Sequence, residues 1–259
     1  MAQKLNTALI QANLKWEDPQ ANRSFFSKEI KALSEEIDLI ILPEMFTTGF
    51  SMNASKLAEK TDGLTLNWMR EMAKLKDAAV TGSVIISEND NFYNRLFFVF
   101  PDGSYKIYDK RHTFTLAKED KTYTAGKDRL IVDYKGWKIC PLVCYDLRFP
   151  VFARNTEDYD LLIYVANWPS KRVFAWDTLL KARAIENMSY CIGVNRTGND
   201  GDGYEYNGHT AAYDCLGKNL TELYREEPFV KEITLDKKHL EETRGQLKFL
   251  QDRDEFTLK

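Results

Sequence analysis

Long apolar runs are missing from this 259-residue chain. The continuous ones, at 39–42, 96–100 and 161–165, fall far short of the roughly 20 residues that a helical membrane span needs. No block of like charge stands out either. With 36 basic against 39 acidic residues the net charge is −3, which argues against nucleic acid as a partner. The first residues, Met1-Ala2-Gln3-Lys4-Leu5-Asn6, lack the apolar core of a secretory leader. Cysteine is sparse: the four at 140, 144, 191 and 215 have neither metal-site spacing nor a disulfide-scaffold pattern. A reduced, cytoplasmic protein is the expectation. Histidine is scarcer still, with His112, His209 and His239 as the whole supply of imidazole bases. Repeats, low-complexity stretches and long linkers are absent. One domain over 1–259, with 44% hydrophobic residues to fill a core, is expected.

What is present is an alternation of strands and helices. Residues 5–11 read as a buried strand. The spacing of Phe25, Ile30 and Leu33 predicts a helix over about 21–36. Residues 38–42 form a continuous apolar strand, covered on both faces, that ends at Pro43 and delivers Glu44. A helix over 62–76 and strands over 79–87 and 92–100 follow. Pro101-Asp102-Gly103-Ser104 is a hairpin turn, and the return strand 105–108 delivers Asp109-Lys110. A polar loop is expected over 113–126. Strands 130–134 and 137–143 form a second hairpin that ends at Cys144. Then come a short helical segment after Pro150, a strand at 161–165 ended by Asn167-Trp168-Pro169, a helix at 174–187 and a strand at 190–194. A Gly/Asp-rich loop at 198–203 precedes strands at 210–213 and 229–235. From Lys237 the chain is densely charged. Its last apolar pieces, Phe249-Leu250 and Phe256, are expected to dock on the body or on a partner. The pattern is that of an α/β domain with layered sheets and helices outside.

Three strand ends carry chemistry. Cysteine is nucleophilic as the thiolate and needs a base or a cation beside it. Cys144 ends a strand and opens a turn whose N–H groups can face a substrate oxygen. Glu44 could take the thiol proton and return it to a leaving amine; otherwise it caps the following segment. Lys110 could stabilise an oxyanion; otherwise it is a surface charge. Charged residues placed directly after buried strands are generally paired or functional, which favours the chemical reading of all three together.

Leu42-Pro43-Glu44, Tyr108-Asp109-Lys110-Arg111-His112 and Val143-Cys144-Tyr145-Asp146-Leu147-Arg148-Phe149-Pro150 resemble the three signature blocks of the nitrilase (carbon–nitrogen hydrolase) superfamily. The resemblance runs from the first strand to Phe249-Leu250. It implies a four-layer αββα sandwich, usually a homodimer, that hydrolyses a non-peptide C–N bond of a small-molecule amide without cofactor or metal. It implies Glu44 as general base, Lys110 as oxyanion stabiliser and Cys144 as nucleophile. A second glutamate ahead of a glycine falls on Glu119 in the segment ending at Gly126, where it would hold Lys110 or the leaving group.

Within the superfamily the chain is similar to the omega-amidase branch. The likeness lies in Thr47-Thr48-Gly49-Phe50, Tyr164-Val165-Ala166-Asn167-Trp168-Pro169, Ala182-Arg183-Ala184-Ile185-Glu186-Asn187 and Phe249-Leu250-Gln251-Asp252. That branch deamidates short dicarboxylic monoamides such as 2-oxoglutaramate and 2-oxosuccinamate. A distal carboxylate calls for a cation; Arg111, Arg148 and Arg172 are at hand, with Arg148 alternatively pairing with Asp146 or Glu186. Tyr145 would contribute its N–H, and Trp168 and Phe50 are either pocket walls or plain core. One departure is Gly208-His209-Thr210 where the family carries Gly-x-Ser, so His209 near the cleft is expected to bear on substrate choice. A cysteine–histidine hydrolase, a non-catalytic thiol protein and a nitrilase, carbamoyl-amine hydrolase or other aliphatic amidase are the competing readings.

Overall fold

The computed structural model describes residues 3–221 and 226–257; Met1 and Ala2, part of the segment read for a leader, lie outside them. The chain runs β1 (Lys4–Gln11), α1 (Pro19–Ala32), β2 (Leu39–Ile41), α2 (Ala54–Leu57), α3 (Leu64–Lys76), β3 (Ala79–Glu88), β4 (Asn91–Val99) and β5 (Tyr105–Asp109). It continues through α4 (Glu119–Thr122), β6 (Val132–Tyr134), β7 (Trp137–Val143), α5 (Pro150–Ala153), β8 (Leu161–Val165), α6 (Val173–Glu186) and β9 (Tyr190–Val194). β10 (Thr197–Asn199), β11 (Glu205–Asn207), β12 (Ala211–Tyr213), β13 (Phe229–Asp236) and α7 (Lys237–Leu247) complete it.

Among the described residues the strands form two main sheets, one of six in the order β13-β1-β2-β3-β4-β5 and one of five in the order β12-β9-β8-β7-β6. β1, β2 and β3 are mutually parallel, as are β7, β8 and β9. Alternation along the first sheet decides the layering. Leu9, Leu39, Ile41, Leu96 and Phe98 pack into one core with Ile139, Leu142 and Val165 of the second sheet. Their neighbours Ala8, Ile10, Ile40, Phe97 and Val99 turn the other way, onto Phe26 and Ile30 of α1 and Met69, Met72 and Ala73 of α3. The far face of the second sheet is covered by Trp176, Leu180 and Ala184 of α6. The result is the four-layer αββα sandwich expected from the sequence.

Local chemistry fixes the connections. Asp18 caps α1 by accepting from the Ala21 N–H at 3.0 Å, so the helix starts at Pro19 rather than at 21, and it ends at Ala32, short of 36. Lys135 and Gly136, both at positive φ, make the two-residue turn between β6 and β7, the geometry that suits a tight hairpin. The polar loop expected at 113–126 contains a 3₁₀ turn, Thr115–Ala117, and α4. The charged stretch after residue 236 is also ordered, as α7. Phe249 and Phe256 stay 55% and 41% exposed, so on the described chain neither is buried against the body.

Candidate active site

The carboxyl ends of β2, β5, β7 and β8 converge on one group of side chains, as the ends of parallel strands in open α/β sheets commonly do. Glu44 follows β2 and is fully buried. Asn167, after β8, grips it twice: its N–H donates to Glu44 Oε2 at 2.8 Å and its Nδ2 to the Glu44 carbonyl at 2.6 Å. Lys110 follows β5 and is held from both sides of its main chain. Its N–H donates to the Asn94 carbonyl at 3.0 Å, and its carbonyl accepts the Gly126 N–H at 2.9 Å. Only glycine fits at 126, because a Cβ there would stand 2.0 Å from the Asp109 carbonyl oxygen.

The Lys110 ammonium sits between two carboxylates. Its Nζ lies 2.9 Å from Glu44 Oε1, and 3.0 and 2.9 Å from the two oxygens of Glu119. The three side chains are at most 1% exposed. Glu119 is reached because α4 lifts it out of the polar loop, where the Phe114 N–H also donates to it. Burial pulls Lys110 down, but the charges of Glu119 and Glu44 overcome this and the net displacement is upward. Burial pushes Glu119 up, and Lys110 only partly counters it. Glu119 accepts from Asn94, Lys110 and the Phe114 N–H, contacts that favour its carboxylate form against the burial that opposes it.

Cys144 follows β7 and takes φ +45°, a left-handed conformation unusual for a residue with a Cβ. It opens the 3₁₀ turn Cys144–Arg148. Asp146 braces that turn, accepting from Val143 N–H at 3.0 Å, Tyr108 hydroxyl at 2.7 Å and His112 N–H at 3.0 Å. Burial, then the Glu44 carboxylate, hold the Cys144 thiol well above its ordinary range, with Lys110 acting in the opposite sense. The resting sulfur is therefore a neutral thiol beside a carboxylate that can take its proton.

A cavity of about 350 Å³ opens onto this group. Lys110, Cys144, Tyr145, Arg148, Arg172, Trp168 and Phe50 line it, which brings seven of the candidate residues named from the sequence around one cavity. Glu44 and Glu119 stand directly behind Lys110. Phe50 and Trp168 are thus walls rather than plain core, with the Lys110 Nζ 5.2 Å from the Phe50 ring centre. The pairing of Arg148 with Asp146 or Glu186 does not occur. Asp146 is taken up by Tyr108, Val143 and His112, and Glu186 by Arg183 at 2.8 Å. Arg148 instead lies 4.9 Å over the Trp168 ring, and Arg172 lies 5.1 Å over the Phe114 ring. Among the described residues neither guanidinium has a carboxylate or carbonyl partner. Arg111 is directed elsewhere, to the Lys127 carbonyl and the Phe152 ring.

No histidine lines this cavity. His112 is paired with Asp146, His209 with Asp177 and His239 with Asp214. His209 is thus not a cleft residue, contrary to expectation. The sequence also left unread Phe114, Leu116, Asp200, Asp202 and Tyr206 around the cavity, Asn94 behind it, and the grip of Asn167, itself a lining residue, on Glu44. Among the described residues no group of three or more His, Cys, Asp and Glu side chains converges as a metal ion would require. No helix among them is long and apolar enough to cross a membrane.

An αββα sandwich with a thiol, a buried ammonium and a buried carboxylate at its strand ends, and a second buried carboxylate from a loop helix, defines a class of hydrolases that cleave non-peptide carbon–nitrogen bonds. The chain belongs to the carbon–nitrogen hydrolase family, whose model matches residues 6–244. Among its relatives, the omega-amidase YafV of Yersinia enterocolitica is 43% identical, with 98% of each chain covered. The 2-oxoglutaramate amidase of Bacillus subtilis is 33% identical over 88% of this chain and 90% of its own. Among solved structures, the CN-hydrolase superfamily protein XC1258 from Xanthomonas campestris, described with an arsenic adduct in its active site, superposes with a TM-score of 0.97. It is 44% identical, and each chain covers 100% of the other.

Proposed function

We propose that this chain is an omega-amidase, converting the terminal amide of short dicarboxylic monoamides to acid and ammonia. The observation that carries the reading is the pairing, in one cavity, of the Cys144 thiol with two guanidiniums, Arg148 and Arg172, that stack on aromatic rings and have no carboxylate partner among the described residues. The first group suits an amide carbonyl and the second a distal carboxylate. Relatives named omega-amidase and 2-oxoglutaramate amidase support it.

Glu44 takes the proton of Cys144, and the thiolate forms a bond to the amide carbon. Lys110 and the N–H of Tyr145 hold the oxyanion. The C–N bond breaks with return of the proton from Glu44 to nitrogen, ammonia leaves, and a thioester on Cys144 remains. Water, activated by Glu44, cleaves that thioester and restores the thiol. Glu119 holds Lys110 in place throughout.

The test is ammonia release from 2-oxoglutaramate, 2-oxosuccinamate, succinamate and glutaramate. Rapid turnover of at least one is expected; none on any of the four would remove the substrate assignment and direct attention to nitriles, carbamoyl amines and simple aliphatic amides. If the guanidiniums read the distal carboxylate, Arg148→Met and Arg172→Met raise KM for 2-oxoglutaramate by about ten- to a hundredfold, the worth of a hydrogen bond to a charged group. The same variants should leave turnover of a neutral amide such as butyramide within about twofold, because only the carboxylate contact is lost. Equal losses on both substrates would assign the arginines to the fold instead.

The same reading takes the whole of 1–259 as one hydrolase domain, in the cytoplasm and as a homodimer. The dimer is supported by Phe174 and Ile185, 82% and 45% exposed, which fall on one outer face of α6. Light scattering on the eluted protein reads its mass directly; that of a single chain would dispose of the dimer.

A further inference from the structure

We propose that Asn94 is the positioning residue that keeps Glu44 and Glu119 charged and apart, so that Glu44 can accept the thiol proton. The proposal deepens the mechanism above and rests on it.

Asn94 stands in the middle of β4, opposite Ile85 of β3, and is 1% exposed. Its Nδ2 lies 2.8 Å from Glu44 Oε1 and 3.2 Å from Glu119 Oε1. An amide NH2 has two protons, and here each carboxylate takes one. The main-chain carbonyl of the same residue accepts the Lys110 N–H at 3.0 Å. One residue therefore touches all three charged members of the site. The orientation of the amide follows from charge, because the flipped form would point a carbonyl oxygen at two carboxylates.

The other end of the side chain makes the case sharper. Among the described residues Asn94 Oδ1 is buried with no hydrogen-bond partner. Buried polar atoms are nearly always satisfied, and an exception calls for a reason. An asparagine serving only to fill the strand would be satisfied at both ends or replaced by an apolar residue. This one leaves its carbonyl idle while both protons are committed to the glutamates. The other titratable groups facing the pair are Lys110, the Cys144 thiol and Tyr123, whose hydroxyl donates to the Ser51 carbonyl. With Lys110 shared between two carboxylates, the charge balance of the buried trio is one negative charge in excess. Two amide protons are what that excess lacks.

Removing a donor from a carboxylate favours its protonated form. A protonated Glu44 cannot take the thiol proton, so activity fails earlier as pH falls. Two profiles against pH test this in the wild type, Asn94→Ala and Asn94→Asp: kcat/KM for 2-oxoglutaramate, and the rate of Cys144 alkylation by iodoacetamide. In Asn94→Ala the acid limb of both is expected to move up by about one to two pH units, from the usual worth of a charged hydrogen bond. Asn94→Asp has the same shape, so it serves where the alanine variant fails to fold. It adds a third acid and moves both limbs in the same direction. A lower rate with the limbs unmoved in a folded variant would overturn the proposal, since that is what a merely structural residue would give. Alkylation needs no amide substrate. Moved limbs there with no turnover of any amide by the wild type would sink the substrate reading and uphold Asn94.

Discussion

Replacing Cys144 by alanine is expected to lower kcat on 2-oxoglutaramate by about 10⁴-fold or more, the scale on which removal of a nucleophile acts. The other groups cannot substitute. Glu44 and Lys110 are fixed to each other and to Glu119 and Asn167, and the one atom that can bond to the amide carbon from that wall is the sulfur. Water in the space left by the thiol would have to be both oriented and deprotonated in a single step, without the thioester that divides the reaction in two. The fold should hardly notice. Sγ lies beside Glu44 and makes one long contact of 3.9 Å to the Asn167 carbonyl among the described residues, and alanine tolerates the left-handed backbone at 144 about as well as cysteine does. A change in melting temperature of no more than about 2–4 °C corresponds to roughly 1 kcal/mol in a chain of this size. Ammonia release, calorimetry and intact mass after mixing with substrate check the three parts together. Turnover within tenfold of the wild type, or an acyl adduct still forming on the alanine variant, would remove Cys144 from the role of nucleophile.

Whether such residues can be read from a sequence depends on how the chain delivers them. Glu44, Lys110 and Cys144 were legible because each follows a strand whose apolar run says where it ends: Leu39–Ile41, Tyr105–Asp109 and Trp137–Val143. Glu119 lies in a polar loop, and only the resemblance to a family motif distinguished it from a solvated carboxylate. Asn94 was hidden inside an apolar strand. Its neighbour Arg95 is also buried, pairing with Asp109 at 2.7 Å on the opposite face of the sheet. Two consecutive polar residues buried in one strand are a signal in themselves, since each face must supply partners, and that signal was there to be used. α7 escaped for a different reason. It buries only Leu240 and Thr243, too few apolar positions to show a period, although Asp236 before it is a good N-cap. His209 was misplaced because sequence distance says nothing of direction. The turn at φ +59° sets its ring against Asp177, and neither residue lines the cavity.

Lys110→Met should be the most destabilising single change at this site, and its effect should depend on pH. The lysine ammonium stands between two carboxylates that are themselves fully buried. Breaking a buried ion pair from one side typically removes about 3–5 kcal/mol, because the charge left behind has lost its water as well as its partner. Here two carboxylates are left, already held by Asn94 and Asn167 within reach of each other. One of them is expected to bind a proton. Glu119 is raised by burial even with the ammonium present; without it the rise is larger. A carboxyl raised above its unfolded value binds more protons folded than unfolded, so stability falls as pH climbs from the unfolded value through the folded one. The variant should therefore unfold most easily at neutral and alkaline pH and recover toward pH 5, read as urea midpoints across that range. A pH-independent loss would mean that Lys110 contributes packing rather than charge. Activity should fall by about 10²–10³-fold from the missing oxyanion partner alone. The double change Lys110→Met with Glu119→Gln separates the two parts. It removes one carboxylate along with the ammonium, so it should regain much of the stability at neutral pH while turnover stays low. Recovery of both would mean that Lys110 serves charge balance only, and that the Tyr145 N–H holds the oxyanion by itself.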